Sequence, residues 1–140
     1  MDMTDELSQC LVLNTIATAR SLLRRFDAQL SPFGVTVQQF ALLAAIQSHP
    51  GAPVMTLARE VMMDRTSLTR NLDLLQRKGL VRRISATTGN VRHCELTAEG
   101  KATFDKLVPE WHRIGAGFKA AVPSDDADTY RRVAKRLSQE

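Results

Sequence analysis

The sequence is poor in features that mark several large functional classes. Aromatic residues are 5% of its 140 positions, with one Trp and one Tyr, so its core must be aliphatic. Cysteine occurs twice, at Cys10 and Cys94. These form neither a C-x-x-C pair nor a disulfide framework, and the usage fits a reducing compartment. The histidines His49, His93 and His112 are scattered, leaving no His/Cys/carboxylate group at metal-ligand spacing. No apolar run approaches the roughly 18 residues of a membrane span. The opening M-D-M-T-D-E-L is acidic, unlike a signal or transit peptide, and the expected location is the cytoplasm. There is no Ser/His/Asp ordering with supporting motifs, no glycine-rich phosphate loop and no paired carboxylates beside a breaker. Asp125-Asp126 fall in a helix first turn, where the dipole accounts for them. Neither catalysis nor a cofactor is expected.

What is present is an ordinary apolar content, 44%, enough for one globular domain over residues 1–140, and an uneven charge. From Asp64 to Arg92 seven cations (Arg65, Arg70, Arg77, Lys78, Arg82, Arg83, Arg92) face two carboxylates, a net +5. The whole chain carries +4, so the remainder is about −1. A basic surface confined to one segment is the footprint of a polyanion partner.

That segment opens with D-R-T-S-L-T-R-N-L-D-L-L-Q-R-K-G-L, Asp64 to Leu80. Asp64 is a strong N-cap, Gly79 a natural stop, and Leu68, Leu72 and Leu75 recur at i, i+4 and i+7. The spacing predicts a helix with one apolar face and, in its first two turns, a face carrying Arg65, Thr66, Ser67, Thr69 and Arg70. Arginine forks and hydroxyls suit base edges and phosphates, and a helix N-terminus favours an anion. Thr56 to Val61 reads as a short preceding helix, with Met62-Met63 turning into Asp64: helix-turn-helix spacing. Leu80 to Ile84 and Val91 to Leu96 then read as strands about an A-T-T-G-N turn. A helix-turn-helix followed by a hairpin is a winged helix. The fold class expected is mainly α with a small β-hairpin wing.

The run L-A-R-E-V-M-M-D-R-T-S-L-T-R-N-L-D-L-L-Q-R-K-G-L-V-R-R, with V-T-V-Q-Q-F-A-L-L-A-A-I before it and L-T-A-E-G-K after it, resembles the MarR family of bacterial transcriptional regulators. The resemblance implies a homodimeric winged helix-turn-helix regulator, most often a repressor, on a pseudo-palindromic double-stranded DNA operator. Residues 35–97 would form the DNA-binding lobe, and residues 5–31 and 98–140 a helical dimerisation region. It also implies effector binding between the two regions. Two departures stand out. The family commonly has Gly where Met62 stands, a position suited to positive φ. It also places an acidic residue two positions before an Arg near the wing tip, where this chain has Thr88 and Asn90. Asn90 and Arg92, with Arg82 and Arg83 on the neighbouring strand, are the expected wing and backbone contacts.

Leu7 to Leu30 reads as one long helix with apolar positions at Leu7, Leu11, Ala19, Leu22, Leu23, Phe26 and Leu30. Thr36 caps a second, with Phe40, Leu43 and Ala44 toward the core, and Pro53 pre-sets the first turn of a third. Thr97 caps another long helix striped by Phe104, Leu107, Val108, Trp111, Ile114, Phe118 and Val122, and a last helix carries Tyr130, Val133 and Leu137. Apolar terminal helices remote from the reading head are expected to form a two-fold seam. Cys10 is either a small core residue or, as in the family's peroxide-sensing branch, a redox thiol. The function expected is a sequence-specific repressor released by a small-molecule effector or by oxidation of Cys10. The alternative is a winged-helix adaptor that binds protein and not DNA.

Overall fold

Asp2 caps the first helix, α1 (Met3–Ser8), by accepting the Asp5 N–H at 2.9 Å. The computed structural model describes residues 1–85 and 92–139. The helix expected over Leu7 to Leu30 is two, α1 and α2 (Leu11–Leu30), with Cys10 in extended backbone between them. Asn14 stabilises the break: its side-chain amide donates to the carbonyls of Ser8 and Cys10, both at 2.8 Å. Of the expected apolar stripe only Leu30 is buried, while Leu7, Leu11 and Leu23 are exposed.

Thr36 and Gln39 form a capping box that starts α3 (Val37–Ser48), each side chain reaching the other's N–H at 3.2 Å. This helix is the hub. It packs against α2, α4 (Val54–Glu60), α5 (Arg65–Arg77) and the second strand. Gln39, Phe40, Leu42, Leu43, Ala45 and Ile46 are buried, whereas Ala44, expected inside, is half-buried. The sequence pattern showed one face because a hub helix is covered on several. Pro53 stands at the N-cap of α4 instead of in its first turn, and bridges His93.

Asp64 caps α5 as expected, accepting the Ser67 N–H at 2.6 Å. Leu68, Leu72 and Leu75 are fully buried, so the apolar face is the one the spacing requires. After α5, β1 (Val81–Ser85) pairs antiparallel with β2 (Arg92–Leu96), in a register that sets Val81 opposite Leu96 and Arg83 opposite Cys94. Thr97 then joins two elements. Its hydroxyl donates to the Gly79 carbonyl at 2.6 Å and accepts the Gly100 N–H at 3.0 Å, capping α6 (Ala98–Ala121). In the first turns of α6, Phe104 stacks on Phe40 with ring centroids 5.5 Å apart.

The chain divides into two compact units, Met1–Leu107 and Val108–Glu140. The first holds the helix-turn-helix and wing strands. The second holds the rest of α6, with Ile114 buried, and α7 (Ser124–Leu137), whose acidic first turn and basic last turn match the helix dipole. Trp111, Val122, Tyr130, Val133 and Leu137 are exposed in this unit. Among the described residues no helix is long and apolar enough to cross a membrane.

Candidate nucleic-acid interface

Burial of Leu68, Leu72 and Leu75 turns the opposite side of α5 outward. There Arg65, Thr66, Thr69, Arg70, Asp73, Leu74 and Arg77 line an open groove of about 710 Å³. Four of the five helix residues expected to read DNA, Arg65, Thr66, Thr69 and Arg70, therefore share one surface. Ser67 lies off it, half-buried, and spends its N–H on the Asp64 cap.

Arg77 joins this surface from beyond the first two turns. Its signal was present in the sequence, since Thr66, Arg70, Asp73 and Arg77 follow one another at helical spacing. Among the described residues the side chains of Arg65, Arg70 and Arg77 form no ion pair or hydrogen bond with a protein group. Cations left open on a surface are available to an anion.

The other described cations of the basic segment, Lys78, Arg82 and Arg83, are engaged. Arg83 pairs with Asp73 at 2.7 Å and donates to the Thr69 carbonyl at 3.3 Å, tying β1 to the middle of α5. Arg82 pairs across the strands with Glu95 at 2.6 Å, with both side chains well exposed. Lys78 reaches back to the Gly34 carbonyl at 2.5 Å and to Gln39 Oε1 at 3.1 Å. Among the described side chains, the open positive charge of the basic segment thus lies on α5, at Arg65, Arg70 and Arg77. Asn90, the Arg92 side chain, Thr88 and the expected wing turn lie outside the described residues.

The N-terminus of α5 adds its own electrostatics. Hydrogen bonds from Ser67, hydroxyl first and N–H second, hold the Asp64 carboxyl below its ordinary value. Asp64 therefore remains an ionised cap at neutral pH. The Cys94 thiol is buried and pushed up by desolvation, which disfavours its reactive thiolate. Cys10 is half-buried, a free thiol at the start of α2. Among the described residues no three His, Cys, Asp or Glu side chains are grouped to hold a metal.

Residues 33–89 match the model of the MarR family, a span that contains α3, the helix-turn-helix and β1. The transcriptional regulator MosR of M. tuberculosis, solved in complex with DNA, is 35% identical, with 93% of this chain and 94% of that chain covered and a TM-score of 0.83. MepR of S. aureus, also solved with DNA, shares the fold at 16% identity, covering 92% and 97% with a TM-score of 0.79. An uncharacterised HTH-type transcriptional regulator of Bacillus subtilis, YhbI, is 25% identical over 127 residues, covering 87% of this chain and 82% of its own. The chain belongs to the MarR family of winged helix-turn-helix proteins, DNA-binding transcriptional regulators and not enzymes.

Proposed function

We propose that the chain works as a homodimeric, cytoplasmic repressor in which two α5 helices enter successive major grooves of a pseudo-palindromic operator, roughly one helical turn apart. The observation that carries this reading is the outward face of α5, where three unpaired arginines and two threonines line one groove. Arg65, Thr66, Thr69, Arg70 and Arg77 contact bases and phosphates, and Ser67 supports the helix entry. Arg82, Arg83, Asn90 and Arg92 serve the wing and backbone. Residues 35–97 form the reading lobe of one MarR-type domain, and residues 5–31 and 98–140 its dimerisation region. The DNA complex of MosR supports the same mode of use.

Release from DNA follows when a small-molecule effector favours a spacing of the two reading heads that no longer fits the operator. Oxidation of Cys10 is the second route, favoured by its partial exposure. Peroxide treatment of wild type and Cys10→Ser decides between them: equal release from DNA ends the redox route.

The test of DNA binding is affinity against salt. Several phosphate contacts per dimer predict a steep fall of log affinity with log salt, and Arg70→Ala is expected to weaken specific binding by about 1–3 kcal/mol with the dimer intact. A shallow slope, or unchanged affinity on Arg70→Ala, would instead support a winged-helix adaptor.

A further inference from the structure

Two polar residues are buried in the first unit, Gln39 on α3 and Asn71 on α5, and they meet. Gln39 Nε2 donates to Asn71 Oδ1 at 3.5 Å, and Asn71 Nδ2 donates to the Ser67 carbonyl at 2.9 Å, one residue from the DNA-facing Thr66. Gln39 Oε1 accepts from both the Thr36 N–H at 3.2 Å and the Lys78 ammonium at 3.1 Å. The same turn is tied to α2, where Asp27 Oδ1 accepts the Val37 N–H at 2.7 Å. Among the described residues no buried side-chain polar atom is left without a partner.

Apart from these polar links, the face that α5 buries is aliphatic. Leu68, Leu72 and Leu75 form a smooth ridge, and apolar packing has no direction of its own. Such a ridge permits the helix to roll. A roll of about 15° moves groups about 6 Å from the axis by roughly 1.5 Å, beyond the tolerance of a base contact. The Gln39–Asn71 hydrogen bond is directional and, together with the Arg83 links from β1, opposes it.

We propose that Gln39 and Asn71 are positioning residues for DNA reading: their buried bond fixes the rotation of α5 on α3, so that Arg65, Thr66, Thr69, Arg70 and Arg77 present one register to the groove. Neither residue touches DNA in this arrangement. The proposal rests on the DNA-binding reading above and adds the device that gives it specificity.

Two variants test it. Gln39→Met keeps the length of the side chain and adds no charge, and it removes the donor to Asn71 together with the acceptor used by Thr36 and Lys78. Asn71→Leu removes the latch from the other side and extends the leucine ridge. The probes are a duplex enriched by the wild-type chain from a random pool and a scrambled duplex of equal composition, both at one salt concentration. Each variant is expected to lose about tenfold in discrimination between the two duplexes, as for one misplaced base contact, with scrambled-duplex affinity unchanged because every cation remains. A merely structural role would lower both affinities together.

Unchanged discrimination in a folded variant overturns the proposal. Should one variant lose cooperative melting, the other decides; loss in both would mean a stability role and would also overturn it. A wild-type chain that enriches no duplex refutes the DNA reading itself, before any variant is compared, and the proposal with it.

Discussion

Met62 and Gly79 occupy the same place in two helix ends. After α5, Gly79 sits at φ 74 with its N–H on the Gln76 carbonyl and the Leu80 N–H on the Leu75 carbonyl, a Schellman closure. After α4, the Met63 N–H reaches the Ala58 carbonyl and the Met62 N–H the Arg59 carbonyl, again a Schellman closure, but the left-handed residue is Met62 at φ 53. The turn keeps its geometry and accepts the strain of a Cβ there. Met62 is 83% exposed, so its side chain returns little packing. Met62→Gly is therefore expected to stabilise the chain by up to about 1 kcal/mol, read from denaturant unfolding. A loss of stability would show that Met62 makes a contact worth more than the strain.

At the scale of elements, the start of α6 locks the end of α5. A Cβ on Gly100 would lie 1.9 Å from the Leu80 carbonyl oxygen, whereas one on Gly115 meets nothing within 4 Å. Gly100→Ala should destabilise by about 1–3 kcal/mol or more, because backbone must move. Gly115→Ala should gain up to about 1 kcal/mol, since glycine is a poor helix residue. Thermal melts of the pair check the contrast, and equal shifts would refute the close approach. The cap of α5 adds a pH dependence. Asp64 has its folded pKa lowered, so its stabilising contribution is fully present above the unfolded value of 3.8 and is lost as pH falls through the lower folded value. Asp64→Asn retains a capping oxygen that does not titrate. Wild type should therefore lose stability relative to Asp64→Asn as pH drops below 3.8, and parallel acid profiles would remove the cap from this role.

At the scale of the molecule, both units leave apolar surface open. Leu11, Val12, Leu13 and Ile16 are exposed on α2 in the first unit, and Trp111, Tyr130, Val133 and Leu137 in the second. Apolar patches of this kind mark association surfaces. For a dimer coupled to folding, the melting midpoint should rise with protein concentration, and light scattering should give twice the 15.6 kDa chain mass. A concentration-independent midpoint with monomer mass would rule the seam out.

The sequence by itself determined the helix-turn-helix, because caps, stops and apolar periodicity are local: Asp64, Gly79 and the leucine repeat lie within one short stretch, and Thr36 and Thr97 announce their helices alone. The basic segment and the outward face of α5 were legible for the same reason, Arg77 included, since it continues the same helical period. Tertiary structure alone decided which cations stay open. Asp73 captures Arg83 from a neighbouring strand, Gly34 and Gln39 capture Lys78 across a long stretch of chain, and Gln39 meets Asn71 in the core. Such pairings depend on which elements become neighbours in space, and periodicity along one segment carries no information about the segment packed against it.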